Sequence, residues 1–359
     1  MIAGRFFVRQ GNLLFTQQGY LIMNRNKLLE LYEELNDSNV DETQPLQKRL
    51  SQKRESKKKE TDAKLFVRAQ ELSRTFNFTY KAARFEEAWL LDSLVEIAQN
   101  KWISDVLRKV KGGKEASVYL CRSGVAVDAS LVAAKIYRPR SLRNLKNDQQ
   151  YRTGRIDLDA DGTALWKEAD VNAVAKRTSY GEEVRHQSWI AYEFITLELL
   201  HAAGADVPKP YAMEKNAILM GFVGDLSSAA PALITISLDP DEAKPLFDRV
   251  IHNIDIMLTH NRIHGDLSAY NILYWNGDIT LIDFPQVVLP EANPASWNIF
   301  LRDVTRICQY FSAQGVRCDG YKLASDLWAS HGHKIIKEVD PKYLDAEKPE
   351  DRRVWEKQK

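Results

Sequence analysis

Apolar residues follow two patterns along the chain, one typical of helices and one typical of strands. The positions where one pattern gives way to the other predict the order of the elements. Apolar side chains that recur at helical spacing predict helices at 82–102, 183–202, 241–260, 297–311 and 321–328. Shorter apolar runs between turn residues predict strands at 103–110, 116–121 and 131–137, and hairpins at 211–223 and 272–282. The chain therefore contains enough regular structure for one large catalytic domain with extensions at both ends.

The two ends of the chain lack this regularity. Residues 1–22 show no pattern of a folded segment, Met23 is an alternative start, and 28–35 predicts one short amphipathic helix. Residues 46–64 carry eight basic and three acidic side chains, a net charge of +5. We interpret this run as a solvated arm, with an RNA- or ribosome-contacting arm as the alternative. The charged tail beyond Asp340 is expected to be loosely held.

Overall composition excludes several classes of protein. The 359 residues have a formal net charge of +1, so nothing global indicates binding to nucleic acid or to an anionic membrane. The chain lacks an apolar run of the roughly 18 residues that a membrane-spanning helix needs. Three cysteines without metal-ligand spacing predict a reducing compartment and no disulfide framework. With no clear signal peptide at the start, we expect a cytoplasmic protein.

Candidate chemistry is concentrated between Arg262 and Val288. Asp266 and Asn271 lie five residues apart, and Asp283 follows seventeen residues after Asp266. Because a tight hairpin is predicted between Asn271 and Asp283, its closure should bring the three oxygen-bearing side chains to one point. Magnesium prefers oxygen ligands, and phosphoryl transfer depends on positioning and charge neutralisation, so this cluster predicts a Mg-nucleotide site. A polar loop beside a hairpin is the alternative interpretation.

Upstream features support the same interpretation. The apolar strand that ends in Lys135 would bury an ammonium group, which is costly without an anionic partner. In kinases the corresponding lysine holds nucleotide phosphates and pairs with a helix glutamate. We predict Glu193 as that partner, at the polar edge of its helix, with Glu198 as the competitor. The paired glycines Gly112 and Gly113 between two strands can admit phosphate oxygens close to the backbone, although such a pair alone indicates only a turn.

The segment between Lys135 and the helix of Glu193 is long and charged, which is typical of functional or disordered loops. Within it, the acidic run from Asp157 to Glu168 formally fits a calcium-binding EF-hand loop. Poor residues at two loop positions, weak flanking helices and the lack of a second copy favour an acidic turn instead.

Together these motifs resemble the RIO family of atypical protein kinases, particularly its bacterial members, from about Ile103 to Phe311. The resemblance rests on the run Gly113-Lys114-Glu115-Ala116 with Val118-Tyr119, on VAAK ending in Lys135, on HGDLSAYNIL at 264–273, on IDFPQ at 282–286 and on Leu301-Arg302-Asp303-Val304. HGDLS followed by IDFPQ is the most specific part, whereas the glycine loop alone is weak.

The resemblance implies an α+β, two-lobed protein-kinase-like fold, with a small β-rich lobe over a larger helical lobe. It divides the chain into an N-terminal extension at 1–80, a kinase domain at 81–335 with lobes at about 81–220 and 224–335, and a tail at 336–359. It also implies serine kinase activity, often autophosphorylating, or ATPase activity through a phosphorylated metal-binding aspartate. Relatives act in maturation of the small ribosomal subunit.

The family's site residues are carried over as expectations, with ATP and Mg²⁺ or Mn²⁺ as cofactors. Asp266 would act on the acceptor hydroxyl, Lys135 and Glu193 would form the phosphate-binding ion pair, and Asn271 and Asp283 would ligate the metal. The remaining nucleotide contacts would come from Gly112, Gly113, Lys114, Glu115, Ser117, Val118, Met220, Gly221 and Val223.

Two departures from ordinary protein kinases stand out. Gly265 replaces the arginine that docks an activation-loop phosphate in many kinases, and Pro285 replaces the glycine of the D-F-G triplet, which should stiffen that turn. Leu289-Pro290-Glu291 lies too close to Asp283 to enclose an activation loop, so the sequence itself offers no peptide groove. A small-molecule kinase of the aminoglycoside or choline type, and a nucleotide-gated module that binds a ribosomal precursor, are the alternative functions.

Overall fold

The computed structural model describes residues 8–10, 13–15, 21–24, 71–138, 151, 153–159, 162–176 and 178–335. The chain divides into two compact units, 1–67 and 68–359. In the first unit, β1 (Val8–Gln10), β2 (Leu13–Phe15) and β3 (Leu21–Asn24) form a three-stranded antiparallel sheet. The expectation that 1–22 take no part in a fold is therefore wrong. The predicted helix at 28–35, the basic arm at 46–64 and the tail at 336–359 lie outside the described residues.

A five-stranded antiparallel sheet forms the first part of the second unit. Its strands are β4 (Ile103–Gly112), β5 (Ala116–Ser123), β6 (Leu131–Tyr137), β7 (Pro210–Glu214) and β8 (Ala217–Gly221), in the order β4-β5-β6-β8-β7. The apolar run of β6 occupies the centre of this sheet and is buried along almost its whole length. Lys135 therefore lies on a central strand, in register with Val118 on one side and Ile218 on the other.

Three described helices accompany the sheet: α1 (Arg84–Gln99), α2 (Glu168–Ala175) and α3 (Ser179–Ala202). Most of the predicted apolar face of α1 is buried, but Phe85 in its first turn is 42% exposed. The sequence did not predict α2, whose side chains are not buried. Residues of the predicted N-terminal extension also join this unit, because Thr79 and Tyr80 hydrogen-bond to β4 at Asp105 and Val106.

Helices dominate the second part of this unit. They are α4 (Pro240–Thr259), α5 (Ser296–Ala313) and α6 (Gly320–Ser330), and the hairpin of β9 (Ile272–Trp275) and β10 (Asp278–Leu281) precedes α5. Asn276 and Gly277 close the hairpin with positive φ angles of 52° and 82°, as a tight two-residue turn requires. The apolar faces of α4 and α5 meet at Phe247 and Phe311, whose rings are 5.3 Å apart. Sheet and helices give the predicted α+β, two-lobed kinase-like architecture.

Two further expectations have different outcomes. Cys308 in α5 and Cys318 before α6 form a disulfide, with 5.5 Å between their Cα atoms, so the expectation of no disulfide is wrong. The two cysteines are ten positions apart in the sequence, a spacing that by itself indicates neither a bridge nor a metal site. Within the described part of the chain, every helix is too short or too polar to cross a lipid bilayer.

Candidate active site

A loop between α4 and β9 carries the first group of predicted site residues. It begins at a backbone pairing of Ile263 with Val288 and ends in a 3₁₀ turn at Ala269–Asn271, directly before β9. Gly265 has a φ of 85°, and a Cβ at this position would lie 2.1 Å from the Gln286 carbonyl oxygen. The backbone therefore requires glycine here, which gives a steric reason for the residue that sequence reasoning considered only as a missing arginine.

The β9–β10 hairpin brings Asp283 to this loop. Its pairing runs from Asp278 with Trp275 to Leu281 with Ile272, and the Ile282 amide then donates to the Asn271 carbonyl at 2.9 Å. Asp283 thus directly follows the residue that is bonded to Asn271. Its φ of 73° places a non-glycine residue in the left-handed region, a conformation that is concentrated at functional sites.

Asn271 and Asp266 form a direct contact within the loop. The Asn271 side-chain amide donates to the Asp266 carbonyl at 2.9 Å and lies 3.4 Å from one Asp266 carboxylate oxygen. Since the amide nitrogen is used in this way, the Asn271 side-chain oxygen is the atom left for a cation. The arrangement fixes both side chains at the start of β9.

Lys135 links the sheet to this loop. Its Nζ lies 2.6 Å from Glu193 Oε1 and 2.6 Å from Asp283 Oδ1, and Lys135 is only 9% exposed. The predicted ion pair with Glu193 is present, but Glu193 is 1% exposed instead of lying at a polar edge, and Tyr137 donates to its second oxygen. The competitor Glu198 is exposed. Burial explains why the pair needs both partners, since neither charge is tolerated alone in the interior.

Burial and ion pairing shift the pKa values of these two charged groups in opposite directions. Burial alone would lower the pKa of Lys135, but Asp283 and Glu193 hold the pKa of its ammonium group well above the usual value. Burial likewise opposes ionisation of Asp283, and Lys135 nevertheless keeps the pKa of that carboxyl below its usual value. The pair is therefore charged at neutral pH.

His264 braces the loop. Its Nδ1 accepts the Asp266 amide at 3.3 Å, so Nε2 carries the proton and donates to the Ile282 carbonyl at 3.1 Å. Its ring also lies 4.6 Å from that of Phe284. Burial lowers the pKa of His264 and keeps the ring neutral. These contacts hold the loop against the residue before Asp283 and the residue after it.

Helix α5 contributes three side chains that the sequence did not assign to the site. Asp303 accepts the Gly265 amide at 2.9 Å, Arg302 donates to the Gly265 carbonyl, and Arg306 Nη1 lies 2.8 Å from Asp266 Oδ1. Their spacing places all three on one face of the helix. An acidic residue at Asp303, within the apolar face of this amphipathic helix, is the signal from which the group could have been found.

The predicted phosphate loop is a turn between β4 and β5. The Gly113 amide donates to the Ala116 carbonyl at 2.8 Å, and a Cβ on Gly113 would lie 2.9 Å from that carbonyl oxygen. Gly112, Gly113 and Lys114 are exposed, whereas Ser117 is buried opposite Ile136. Glu115 is partly buried, and its carbonyl accepts the Arg138 amide at 2.8 Å. The turn therefore leaves its glycines open beside the strand that bears Lys135.

Three more of the predicted nucleotide contacts lie at the end of β8 and just after it. Met220 and Gly221 pair with β6, and Val223 follows. The Gly221 amide already donates to Lys209 and the Val223 carbonyl already accepts from Ala230, at 2.8 and 3.0 Å. The nucleotide contacts of Met220, Gly221 and Val223 stay predictions.

The acidic run at 157–168 forms a small turn in its described part. Asp159 accepts from the Thr163 amide and hydroxyl, at 2.9 and 2.6 Å, and Leu158 bridges to Ala164. Glu168 begins α2. In the residues that the structure describes, no group of three His, Cys, Asp or Glu side chains could hold a metal ion. The turn thus uses the Asp159 carboxylate internally.

The donor set at the loop nevertheless fits magnesium. Asp283 supplies a carboxylate whose side chain is 46% exposed, and Asn271 supplies an amide oxygen. Mg²⁺ is commonly bound by one or two protein oxygens with water and phosphate completing the shell. Lys135 lies one hydrogen bond away from Asp283.

Comparisons with known proteins agree on one family. The family model of the RIO domain matches residues 117–323. A RIO-type serine/threonine-protein kinase Rio1 of Haloferax volcanii is 27% identical over 250 residues, covering 68% of this chain and 76% of that protein. The serine/threonine-protein kinase rio1 of Schizosaccharomyces pombe is 28% identical over 232 residues, covering 63% of this chain but only 42% of the yeast protein.

Among solved structures, a Rio2 kinase of Chaetomium thermophilum in an ADP/Mg²⁺-phosphoaspartate complex is 21% identical, with a TM-score of 0.47. The alignment covers 78% of this chain and 79% of that protein.

Proposed function

The chain belongs to the RIO family, and from this premise we propose that it transfers the γ-phosphate of Mg-ATP to a protein hydroxyl, its own or that of a partner. The observation that supports this proposal most directly is Lys135, bonded to both Glu193 and Asp283 at 2.6 Å. An ammonium held between a helix glutamate and a loop aspartate is the charge arrangement that kinases use at nucleotide phosphates.

In the proposed reaction each side chain has a separate task. Lys135, kept in place by Glu193, binds the α- and β-phosphates, while the turn at Gly112–Ser117 covers them. Asn271 and Asp283 would hold the metal, and Mg²⁺ bound there would neutralise charge on the phosphates. Asp266 orients the acceptor hydroxyl and accepts its proton. Because Asp283 already bonds Lys135, nucleotide binding exchanges one anionic partner of the lysine for phosphate.

The test is transfer of label from γ-labelled ATP by the purified full chain. Asp283→Asn and Asp266→Asn should each reduce turnover by about 100-fold or more, because each removes charge from a site that depends on it. Asp248→Asn is the matched control, since Asp248 is an exposed carboxylate on α4 that pairs with Lys244 on the same helix. Wild-type turnover in Asp283→Asn would refute the metal assignment.

The position of the label separates the related activities. Label that is stable in acid and resists hydroxylamine indicates a phosphorylated hydroxyl, whereas the opposite response indicates an acyl phosphate on aspartate and an ATPase cycle. Transfer only to an added aminoglycoside or amino alcohol would favour a small-molecule kinase over a protein kinase.

We also propose a ribosomal or RNA partner for the basic run at 46–64, on the strength of its net charge of +5. Co-sedimentation of the full chain with small ribosomal subunits should fall steeply with salt and should be lost when 1–64 are deleted. Binding that survives the deletion would refute a role for the run.

A further inference from the structure

A cavity of about 310 Å³ lies between the segment 153–176 and helix α3. We call it the flanking cavity, because its residues are distinct from those assigned to the nucleotide and the metal. It is lined by Arg155, Ile156, Asp157, Val174, Ala175, Arg185, Ser188, Trp189 and Tyr192. Its volume falls at the lower end of the range for small-molecule sites, roughly 300–1,000 Å³.

The lining indicates what chemistry would bind. Trp189 and Tyr192 supply aromatic surface on α3, and the Arg155 guanidinium lies 4.6 Å from the centre of the Tyr192 ring. Arg185 adds a second guanidinium, which Glu182 holds at 3.2 Å. Arg155, Arg185 and Asp157 all line the space, and the guanidinium N–H groups of the two arginines can donate charge-assisted hydrogen bonds to an acidic group. A flat aromatic molecule with one acidic group fits this combination of surfaces.

On one side, the cavity is tied to the metal-binding loop. Arg155 Nη2 donates to the Pro285 carbonyl at 3.0 Å and also to the Val287 carbonyl. The preceding Gly154 packs so closely that a Cβ there would lie 2.3 Å from the Ala292 carbonyl oxygen. A cavity residue therefore holds the backbone directly after Asp283.

On the other side, the cavity is tied to the helix that carries Glu193. Ser188 accepts the Leu158 amide at 2.8 Å, which fastens the segment to α3. Trp189 lies edge-on to Tyr137 at 5.0 Å, and Tyr137 donates to Glu193. The cavity wall thus contacts the tyrosine that positions the glutamate partner of Lys135.

We propose that the flanking cavity binds a small aromatic acid, and that the bound acid stabilises the arrangement in which α3 holds Glu193 at Lys135, the contact that remains when nucleotide replaces Asp283. A ligand there would fasten α3 and the loop after Asp283 to the same segment. Binding of the acid does not depend on whether the chain transfers phosphate. Its regulatory effect rests on the proposed function.

The probe for binding is 1-anilinonaphthalene-8-sulfonate, an aromatic sulfonate, titrated calorimetrically into the nucleotide-free full chain. One site per chain is expected. Ala175→Trp fills the cavity from the exposed end of α2 and should weaken binding by about tenfold or more, which corresponds to about 1.4 kcal/mol. Val171→Trp is the matched control, because Val171 lies on the same helix, is exposed and does not line the cavity.

A second variant tests the acidic group. Arg185→Gln should weaken binding of the sulfonate by about five- to tenfold, as expected for loss of one charge-assisted hydrogen bond. Absence of saturable binding, or equal binding to wild type and Ala175→Trp, overturns the site.

The regulatory effect has its own readout. The probe should tighten binding of a non-hydrolysable ATP analogue by about fivefold, and the analogue should tighten the probe by the same factor, because coupling is reciprocal. Probe binding without any change in nucleotide affinity overturns the regulatory role. If Asp283→Asn keeps wild-type turnover while the probe still binds, the proposed function fails and the cavity assignment stands.

Discussion

Lys135 is shared between two carboxylates, and this sharing defines the site before any nucleotide binds. Glu193 is fully enclosed by protein, whereas the Asp283 side chain is 46% exposed. The contact with Asp283 is therefore the one open to solvent, and under the proposed function it is the one that metal and phosphate would replace. Glu193 remains as the fixed partner, because leaving it alone in the interior would be costly.

At the same scale, Arg306 is a positioning residue for Asp266. Its guanidinium lies 2.8 Å from one carboxylate oxygen and directs the other toward Asn271. Arg306→Ala should reduce phosphoryl-transfer turnover by about tenfold, because a misplaced base loses orientation, while nucleotide affinity stays unchanged. Steady-state kinetics would show this, with Arg306→Lys restoring part of the turnover and Lys322→Ala on α6 as the control. Wild-type turnover in Arg306→Ala would contradict the role.

The buried carboxyl of Asp303 gives a prediction for how stability depends on pH. Burial raises the pKa of its carboxyl to about 6, although Arg302 opposes the rise. Because the folded state then holds this proton more tightly than the unfolded chain, Asp303 should lower the free energy of unfolding as pH rises from about 4 to 6. Asp303→Asn should remove that fall. Urea unfolding of both proteins across this range measures it, and parallel curves would contradict the assignment.

At the scale of elements, α3 joins several functions on one helix. It carries Glu193 toward Lys135, Trp189 toward Tyr137 and Ser188 toward the segment before α2. Thr178 caps its first turn by accepting the Gly181 amide at 3.0 Å. A shift of this helix would therefore move the ion pair and the flanking cavity together.

Gly181 sets how closely α2 approaches α3. A Cβ at this position would lie 1.9 Å from the Ala173 carbonyl oxygen. Gly181→Ala should force α2 away and increase amide exchange over 168–175, with a loss of about 1–3 kcal/mol typical of overpacking. Hydrogen exchange and thermal unfolding would detect both effects, with the exposed Glu183→Ala as control. Unchanged exchange in α2 would show that the helices tolerate the added methyl group.

The elements of the site could be predicted from sequence where local chemistry determines them. The Asn276-Gly277 pair predicted a hairpin. The apolar strand around Lys135 predicted that this lysine is buried and therefore has an anionic partner. The roles of Arg302, Asp303 and Arg306 could not be predicted, because they depend on how α5 packs under the loop. Helix α2 was missed because it buries no side chain, and β1–β3 because they are too short for a clear alternation.

At the scale of the whole molecule, the disulfide is the feature that departs most from what the sequence predicted. It links α5, which carries Asp303 and Arg306, to the segment that begins α6. An odd number of cysteines cannot reveal which two are neighbours, since that depends on how α5 and α6 pack. The bond thus connects the helix that contacts the Asp266 loop to the segment before the last described helix.

Cys318→Ser tests this connection. Loss of the cross-link should lower the free energy of unfolding by about 2–3 kcal/mol under oxidising conditions, by the loop-closure argument for a short loop. Wild type and variant should become equal in excess reductant. Denaturant titrations measure the difference, and mass spectrometry of the unreduced protein identifies the pair. A wild-type protein that carries both thiols free after air oxidation would contradict the bond.

The turn after Asp283 has a pharmacological consequence. Phe284 is completely buried against His264, Pro285 has a fixed φ, and Arg155 holds the carbonyls of Pro285 and Val287. An inhibitor that requires this triplet to turn outward must expose the Phe284 ring and displace the Arg155 hydrogen bonds. It must do so with the φ angle of Pro285 still fixed by its ring. Compounds that compete in the nucleotide cleft, with the triplet left inward, are therefore the class to screen first.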